Sequence, residues 1–355
     1  MPSSRPRRDS DQVFHVTPLT AGQTVAKALR TWLPGRSWSD LRRLIRTRRV
    51  QVNGNLCMDE GRRLADQDVV KLLTQSGPKP PSEHDVRLQY LDAHLAVVEK
   101  PAGVTSTRHA EERTWPQRRR QLRPTLEEML PLIIAKLDPG VRRQRGVPPP
   151  VRAVHRLDRE TSGLMVFART VTAERALMQQ FKRHSTQRQY IAVVRGRLES
   201  QTIESYLARD RGDGRRGSTL DPKASKRAVT HVRTIEIFEV NRDEVYTLVE
   251  CRLETGRTHQ IRIHLAERGN PLCGEKVYNQ PLYSKPLEDR SGAPRVALHA
   301  AELGFVHPIS GEAMRFEMPL PRDLAGFIER LRRDGNGQGT QMNPARQSGN
   351  KNETP

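Results

Sequence analysis

The sequence VHRLDRETSGLMVFA, from Val154 to Ala168, decides the fold class and the candidate chemistry of this chain. Within it, Asp158 stands among arginines, a histidine and hydroxyl side chains, and an apolar, strand-like segment follows directly. A carboxylate that precedes a strand is held on a rigid element, which a reacting group needs. We therefore take Asp158 as the candidate chemical centre. The alternative is an ordinary turn, in which Asp158 and Thr161 bond only to the nearby backbone.

A second cluster of basic side chains lies further along the chain, in LETGRTHQIRIHL from Leu253 to Leu265. Tyr190 opens a strand-like stretch between the two clusters, and the turn-forming sequence KPAG, residues 100 to 103, precedes both. The pattern continues in GNPLCGEKVY, residues 269 to 278, and in LHAAELGFVHPISGE, residues 298 to 312. In this order the segments resemble the motifs of the RluA family of RNA pseudouridine synthases. The resemblance covers roughly residues 13 to 331, and several ordered motifs together are far more specific than any one alone.

The charge balance indicates a polyanionic partner. The 355 residues contain 61 Lys and Arg against 41 Asp and Glu, a formal net charge of +20. Nucleic acid is the polyanion that such an excess indicates, and a membrane surface is the competing one. No segment of the sequence approaches the ~18 consecutive apolar residues of a membrane-spanning helix. Residues 1 to 12 carry charge without the apolar core of a secretory signal. We expect RNA as the partner and no membrane attachment.

The cysteines indicate a reducing compartment. Cys57, Cys251 and Cys273 are far apart and odd in number, which argues against a disulfide framework, and they lack the CxxC spacing of a zinc site. The histidines near the two basic clusters are His155, His259 and His264. Their arginine-rich setting, without an extra group of carboxylates, is unfavourable for a divalent metal. The sequence therefore predicts a cytoplasmic protein without a metal.

Residues 13 to 75 are predicted to form a small domain, after a disordered start at residues 1 to 12. Helices are predicted over residues 24 to 33 and 39 to 48, the second capped by Ser39, and a hairpin turn is predicted at Asn53-Gly54. This order resembles the S4-like RNA-binding domain that is fused to many such synthases. The basic face of the second helix is predicted to hold RNA phosphates, through Arg42, Arg43, Arg46 and Arg49. A solvated helix face is the alternative.

A Pro-rich linker at residues 76 to 85 separates this domain from a larger one at residues 86 to 333. In the larger domain, helices are predicted over residues 125 to 137, capped by Thr125, and over residues 256 to 268, and a strand hairpin is predicted over residues 229 to 253. Strands outnumber helices, and the two do not alternate as βαβ units. We therefore expect an α+β fold with a mixed, largely antiparallel sheet. The basic stretch at residues 108 to 123 is interpreted as a loop or as an extension of the RNA surface. Residues 334 to 355 are predicted to be a disordered tail.

The resemblance implies a cofactor-free conversion of a uridine within RNA to pseudouridine. Asp158 matches the family's catalytic carboxylate, which attacks C1′, adds to C6 or takes a proton from the ribose. Arg257, in the motif GRTHQIR, is assigned as its ion-pair partner, with a phosphate or surface contact as the alternative. Tyr190 matches the tyrosine that stacks on the target base and relays the C5 proton, with core packing as the alternative.

A uracil inside structured RNA is out of reach, so the nucleotide must leave the stack. Arg156 resembles the family arginine that fills the vacated space, and phosphate binding is its alternative. His155 is grouped with it as an RNA-binding residue, although hydrogen bonding or packing would also explain this side chain. Leu164 and Ile261 are predicted to line the uracil pocket, unless they belong to the core.

We therefore expect a site-specific pseudouridine synthase that acts as a monomer on structured RNA. Large-subunit ribosomal RNA is the expected substrate, because family members with S4-like domains commonly modify it. Transfer RNA as the substrate, or a non-catalytic factor for ribosome assembly, are the alternatives. Retention of Asp158, Tyr190 and Arg257 together favours the enzyme, since a binding protein would need only the arginines.

Overall fold

The computed structural model divides the chain into two compact units. It describes residues 11–53, 55–77, 79, 81–108, 110–114, 120–121, 124–137, 150–211, 215–219, 221, 223, 225–241, 243–279 and 287–336. One unit comprises Met1–His84 with Thr107–Pro139, and the other comprises Asp85–Ser106 with Gly140–Pro355. The sequence predicts residues 107–139 within the larger domain, whereas the structure groups them with the N-terminal residues. The predictions for residues 1–10, for Gly54, for much of 108–123 and for 337–355 lie outside the described residues.

The N-terminal unit contains helices and a four-stranded antiparallel sheet. Its elements are β1 Gln12–His15, α1 Val25–Trp32, α2 Trp38–Arg46, β2 Val50–Val52, β3 Asn55–Leu56, β4 Val69–Leu72 and α3 Leu126–Leu137. The strands are ordered β1-β4-β2-β3. Buried Leu29, Leu41 and Ile45 of the first two helices share one core with Val50 and Val70 of the sheet. This burial of apolar surface is what holds the small unit together.

Helix α3 begins where the sequence predicted. The amide of Glu128 donates to Oγ1 of Thr125 at 3.3 Å, and the amide of Thr125 donates back to Oε2 of Glu128 at 2.9 Å. This reciprocal arrangement is a capping box, which satisfies amides that the first helical turn leaves unpaired. The helix predicted over residues 125 to 137 is therefore confirmed.

The predicted start of helix α2 is wrong by two residues. Ser37, not Ser39, accepts the amide of Asp40 at 3.1 Å, and the Ser37 hydroxyl also donates to the Asp40 carboxylate at 2.7 Å. This second bond anchors the cap, and Ser37 also has the extended backbone that an N-cap needs. The helix ends at Arg46 instead of Arg48, which has a positive φ of 60°.

The C-terminal unit is built on one large sheet. Its strands are β5 Arg87–Leu91, β6 Leu95–Lys100, β7 Arg152–Ala153, β8 Ser162–Ala168, β9 Gln187–Arg195, β10 Gln201–Ala208, β11 Gly217–Ser218, β12 Ser225–Glu239, β13 Val245–Leu253, β14 Leu298–Val306 and β15 Ala313–Glu317. Its helices are α4 Val171–Lys182, α5 Gln260–Glu267 and α6 Arg322–Asn336. The strands run β11-β10-β12-β13-β9-β14-β8-β6-β5, with β15 beside β14 and β7 beside β8.

The predicted α+β fold with a mixed, largely antiparallel sheet is confirmed. Among the strand pairs that the structure describes in this unit, β8 and β14 are parallel and the others are antiparallel. The predicted hairpin of residues 229 to 253 forms as β12 and β13, with an irregular register between Thr234 and Glu236. Helix α5 starts later than predicted, because His259 before it has a left-handed backbone with φ 60°.

Strand β8 lies inside the unit, and all of its residues are buried. Its neighbour β14 comes so close that a Cβ on Gly163 would lie 2.3 Å from the carbonyl oxygen of Ala300. Gly163 also has a positive φ of 132°. Only glycine satisfies both conditions. Helix α4 covers the strand through a shared core, which includes Ala173, Leu177, Leu164 and Val166.

Helix α6 was not predicted. It packs a second core against the sheet, with Leu324, Phe327 and Ile328 from the helix and Val193 and Phe238 from the strands. The helix extends to Asn336, so residues 334–336 of the predicted tail are helical. None of the helices in the described ranges combines the length and the apolar character that crossing a membrane requires.

Candidate active site

Asp158 lies in a turn between β7 and β8 that is held on both sides of the carboxylate. Oγ of Ser106 donates to the carbonyl of Leu157 at 2.7 Å and accepts the Leu157 amide at 3.1 Å. The amide of Thr161 donates to the carbonyl of Asp158 at 3.1 Å. The backbone that carries the carboxylate is therefore fixed by contacts within the protein, as a reacting group requires.

The turn of residues 100 to 103 braces the segment that follows Asp158. The buried ammonium of Lys100 donates to the carbonyl oxygens of Pro101, Val104 and Arg159 at 3.1, 2.9 and 3.2 Å. Burial lowers the pKa of Lys100 to about 7, although nearby carboxylates, including that of Asp158, oppose the shift. All three donors of a protonated lysine are thus used to join the two turns.

The carboxylate of Asp158 pairs with Arg262. Nη1 of Arg262 lies 3.2 Å from Oδ2 of Asp158, while Nε and Nη2 bond the two oxygens of Glu275 at 2.7 and 2.8 Å. Burial alone would lower the pKa of Arg262, but Glu275 and Asp158 hold it above its ordinary value. Arginine is a permanent cation, so this contact places a fixed positive charge beside the Asp158 carboxylate.

Glu275 fixes the position of that arginine. Its Oε1 accepts the amides of Lys276, Val277 and Tyr278 at 2.9, 2.8 and 3.3 Å. Burial alone would raise the pKa of Glu275, but the hydrogen bonds from Arg262 and from these amides hold it below its usual value. Glu275 therefore holds Arg262 in place through two hydrogen bonds, and Nη1 of Arg262 remains for Asp158.

His259 forms a second contact with Asp158. Its Nε2 lies 3.6 Å from Oδ1 of Asp158, and its Nδ1 bonds the hydroxyl of Tyr278 at 2.7 Å. Burial lowers the pKa of His259, while the Asp158 carboxylate opposes the shift. Burial also raises the pKa of Tyr278 to about 12, so this phenol stays protonated near neutral pH. Each oxygen of the Asp158 carboxylate therefore has a polar neighbour. One neighbour, Arg262, lies in helix α5, and the other, His259, directly precedes this helix.

The prediction that Arg257 pairs with Asp158 is wrong in the structure. Nε of Arg257 donates to the carbonyl of Arg227 at 3.0 Å, and the Arg257 amide donates to the side-chain oxygen of Gln260 at 3.0 Å. Arg257 precedes helix α5, whereas Arg262 lies inside the helix and is buried. The motif GRTHQIR contains both arginines, and the helix start decides which of them faces the carboxylate.

Tyr190 lies on β9, two strands away from β8. Strand β14 runs between them, and its Ala300 pairs with Gly163 on one side and with Tyr190 on the other. Since neighbouring strands are ~4.8 Å apart, roughly 10 Å separates the backbones of Gly163 and Tyr190. Burial raises the pKa of Tyr190; Arg188 opposes the shift and the Asp158 carboxylate adds to it. Tyr190 and Asp158 are therefore within electrostatic reach of each other.

Arg156 and His155 have different positions. Arg156 is exposed and makes no hydrogen bond or ion pair with any residue that the structure describes. His155 is part of the fold, because its Nε2 accepts the amide of Val166 at 3.0 Å and its ring stacks on Phe181 with 4.4 Å between centroids. Burial, with a smaller contribution from Arg188, lowers the pKa of His155 to about 3. The grouping of His155 with RNA-binding residues is thus replaced by its packing alternative.

The two predicted pocket-lining residues are both buried. Leu164 belongs to the core beneath helix α4, together with Leu95 and Val97 of the neighbouring strand. Leu164 is therefore a core residue, which was the alternative to its predicted place in the uracil pocket. Ile261 lies in helix α5 directly before Arg262, with 4 % of its surface exposed. Its contact with a uracil stays a prediction.

The remaining candidate metal ligand is used in hydrogen bonds. His264 bonds Ser205 through Nε2 at 3.0 Å and Thr230 through Nδ1 at 2.9 Å. Within the part of the chain that the structure describes, no group of three or more His, Cys, Asp or Glu side chains could hold a metal ion.

Two arginines of the predicted basic face on α2 have acidic partners. Arg42 lies 3.1 Å from Glu60, and Arg43 lies 2.8 Å from Asp40. Both pairs are exposed, where solvent screens the attraction between the two charges. Such weak pairs leave these arginines available to a phosphate.

The other two arginines of this face differ from each other. Arg49 donates from Nε to the carbonyl of Leu73 at 2.8 Å and so supports the end of β4. Arg46 is exposed and has no hydrogen-bond or ion-pair partner among the described residues. Of the four, Arg46 is the freest to bind a ligand.

Sequence reasoning missed the roles of Glu275, Lys100 and Ser106. A signal for Glu275 was present, because this acid follows Cys273-Gly274 in a largely apolar run and a buried acid needs a cation. Lys100 stood in a quoted motif but gave no sign of its carbonyl partners. Ser106 lies distant in sequence from Leu157, and no local pattern could identify it.

Comparisons with known proteins agree with this fold. A family model for RNA pseudouridylate synthase matches residues 94–267. Ribosomal large subunit pseudouridine synthase D of Xanthomonas campestris pv. campestris is 32% identical over 344 residues, 94% of this chain and 96% of that protein. The uncharacterized RNA pseudouridine synthase YlyB of Bacillus subtilis (strain 168) is 42% identical over 184 residues, 51% of this chain and 56% of that protein.

A solved structure shows the same architecture. Human RNA Pseudouridylate Synthase Domain Containing 4 matches with a TM-score of 0.52 and 20% identity, over 69% of this chain and 92% of that one. The mixed sheet with its helices therefore has the pseudouridine synthase fold. With the relatives above, the chain belongs to the RNA pseudouridylate synthase family.

Proposed function

We propose that this chain isomerises a uridine of large-subunit ribosomal RNA to pseudouridine, with Asp158 as the essential carboxylate and without a cofactor. The observation that carries the proposal is the partly buried contact of Asp158 with Arg262, which Glu275 holds in place. The Xanthomonas relative, named for the large ribosomal subunit and aligned over nearly all of both chains, supports this RNA as the substrate. Transfer RNA, or a non-catalytic role in ribosome assembly, gains no such support.

The chemistry requires an ionised carboxylate next to the ribose or the base. The bond from N1 to C1′ must break, the base must turn, C5 must bond to C1′, and the C5 proton must leave. Asp158 attacks C1′, adds to C6 or removes a ribose proton, and each route needs the charged form. Arg262 supplies the positive neighbour that stabilises this form. The fixed turn supplies the orientation, which lowers the entropic part of the barrier.

Tyr190 is the residue that we propose to contact the target base. Its buried ring lies on the strand next to β14, within electrostatic reach of Asp158. A planar ring at that position offers a stacking surface for a uracil. Burial raises the pKa of the phenol, so it is protonated near neutral pH and serves as a donor or relay for the C5 proton.

Access to the site requires that the uridine leave its stack. Arg156, exposed and two residues before Asp158, is the side chain that we propose to fill the vacated space. Ile261, on helix α5 beside Arg262, is proposed as an apolar wall for the base. Insertion of an arginine offsets part of the lost stacking, whose cost is a few kcal/mol.

Residues 13–75 are proposed to act as an S4-like RNA-binding domain. Two helices that share a core with a small sheet, together with the exposed arginines of α2, support this proposal. The contacts hold RNA without reading its sequence, since a guanidinium on a phosphate is indifferent to the base. The free, buried cysteines support a reducing, cytoplasmic location, and we propose that the enzyme acts as a monomer.

A map of modified uridines tests the proposal. Purified protein is incubated with unmodified large-subunit ribosomal RNA and, separately, with transfer RNA, and carbodiimide-dependent stops of reverse transcription are compared with and without protein. We expect new stops at one or a few uridines of the ribosomal RNA. Stops confined to transfer RNA would overturn the substrate. No stop in either RNA would overturn the enzymatic function.

A further inference from the structure

Among the residues that the structure describes, Arg188 has no acidic partner. It lies on β9 two residues before Tyr190, so both side chains belong to the same face of the strand. Nη2 of Arg188 reaches only the main-chain carbonyl of Glu254 at 3.4 Å, and the guanidinium carbon lies 5.8 Å from the centroid of the Phe181 ring. Its Nε is buried and has no hydrogen-bond partner.

Glu254, whose main-chain carbonyl Arg188 contacts, turns its carboxylate elsewhere. Oε1 of Glu254 bonds His231 at 2.7 Å, and Oε2 lies 3.8 Å from Arg227. No carboxylate of the described residues lies within 4.0 Å of Arg188. Burial lowers the pKa of Arg188, with only the neighbouring Tyr190 opposing the shift. A partly buried cation without a counter-charge lowers the stability of the folded protein. Such a cost is typical of a functional site, and an anion from outside the protein would supply the missing charge.

The chain makes room for this arginine. A Cβ on Gly256 would lie 2.5 Å from Nη1 of Arg188, so glycine at this position lets the guanidinium lie against the turn. The next residue is Arg257, which in the structure is not the partner of Asp158 and, among the described residues, has no carboxylate within 4.0 Å.

Arg188 and Arg257 affect the same neighbouring side chain, His184. Burial lowers the pKa of His184, and both Arg188 and Arg257 add to the shift. Both guanidinium groups therefore lie within electrostatic reach of one imidazole. Arg188 in turn changes the pKa of Tyr190, as Asp158 does. The unpaired positive charge is thus adjacent to the proposed base-binding tyrosine.

We propose that Arg188 and Arg257 bind the RNA phosphate that flanks the target uridine, an inference that rests on the proposed function. A uridine extruded toward Tyr190 brings its own backbone with it, and the phosphate is the anion nearest to the base. The planar guanidinium fork matches phosphate oxygens in pairs. The site holds the extruded nucleotide by its backbone while Tyr190 contacts the base.

The salt dependence of RNA binding tests this site. Affinity of the full-length protein for an RNA fragment with the mapped uridine is measured over a range of salt. Each of Arg188→Gln and Arg257→Gln should lower the slope of log K against log salt by about 0.7, one phosphate contact on a single strand. The double variant should lose no more than about 0.7, because both arginines contact one phosphate. Arg233→Gln, whose charge is paired with Glu250, is the matched control and should keep the wild-type slope.

A chemical change in the RNA identifies the phosphate. A neutral methylphosphonate is placed at the linkage on either side of the target uridine. One position should weaken binding to the wild type and have no further effect on the two variants. Arg188→Gln should also melt no lower than the wild type, since it removes an unpaired charge.

The inference fails if the wild type makes pseudouridine but both variants keep its salt slope and its methylphosphonate sensitivity. It also fails if Arg188→Gln loses activity through a lower melting temperature while Arg257→Gln matches the wild type. Absence of pseudouridine with the wild-type protein would instead overturn the proposed function itself.

Discussion

Nη1 of Arg262 lies 3.2 Å from Oδ2 of Asp158, and the same guanidinium grips Glu275 with its two other nitrogens. Arg262 thus joins Asp158, 104 residues away in sequence, to Glu275, 13 residues away, in one chain of charges. Backbone amides fix Glu275, so Arg262 has little freedom to move away from Asp158. The site is therefore organised by the fold, before any RNA binds.

Replacement of Arg262 should damage both stability and catalysis. Arg262→Gln leaves the buried carboxylate of Glu275 and the partly buried carboxylate of Asp158 without a cation, so the free energy of unfolding should fall by roughly 3–5 kcal/mol. The single-turnover rate at saturating RNA should fall as well, by roughly 100-fold or more. Arg233→Gln, whose guanidinium pairs with Glu250, is the control, and its rate at saturating RNA should stay near that of the wild type. A rate loss in Arg257→Gln but not in Arg262→Gln would contradict the assignment.

Gly163 should not tolerate a side chain. A Cβ there would lie 2.3 Å from the carbonyl of Ala300, at a positive φ. Gly163→Ala should therefore lower the free energy of unfolding by on the order of 3 kcal/mol. Gly326→Ala in helix α6 is the control, since nothing lies within 4 Å of the added carbon. It should be neutral or stabilise by about 0.5–1 kcal/mol. Equal effects in urea unfolding would refute the close approach of the two strands.

Buried neutral histidines should make the protein sensitive to acid. Burial lowers the pKa of His155 to about 3, and those of His264 and His299 to about 4. Below the unfolded value near 6.5, the unfolded chain takes up protons that the native protein does not, so stability falls as pH falls. Between pH 6 and 5 the loss should reach up to about 4 kcal/mol.

Urea unfolding at several pH values in that range measures this loss. The window lies above the titration of most carboxylates, so histidines dominate it. His264→Gln removes one of the three groups and should reduce the slope by about one proton. Stability that does not change between pH 6 and 5 would show that these rings are not held neutral.

The arginines of α2 should separate into RNA-binding and structural residues. Arg46→Gln should lower the salt slope of RNA binding by about 0.7–0.9 without changing stability, because the side chain is exposed and free in the described structure. Arg49→Gln should cost about 1 kcal/mol of stability, because its Nε bonds the carbonyl of Leu73. An unchanged slope in Arg46→Gln would argue against RNA contact by this face.

Strong local signals made much of the fold predictable. Strand β8 is a run of apolar residues, and α3 has a capping box at Thr125 and Glu128, so both were placed within two residues. Strand β10 was missed because Glu204 and Ser205 interrupt its apolar residues. Helix α6 was missed although its apolar residues have helical spacing, as Leu324, Phe327, Ile328 and Leu331 show. The polar sequence that follows led to a predicted disordered tail from residue 334, inside the helix.

The centre of the site was predictable, but its partner was not. The position of Asp158 before an apolar strand follows from the sequence alone. The choice between Arg257 and Arg262 depends on where helix α5 begins, and that start is set by the left-handed backbone of His259. It depends also on Glu275, whose contact with Arg262 exists only in the folded chain. Neither the start of helix α5 nor the contact between Glu275 and Arg262 can be inferred from the spacing of residues in the sequence.

Replacement of the central carboxylate tests the account most directly. Single-turnover formation of pseudouridine and affinity for the same RNA are measured for Asp158→Asn, with Glu160→Gln as a control that removes a carboxylate from the same turn. We expect Asp158→Asn to form product roughly 1,000-fold more slowly or not at all, with RNA affinity near that of the wild type, and Glu160→Gln to stay active. Product formation by Asp158→Asn at the wild-type rate would contradict the central role of this carboxylate.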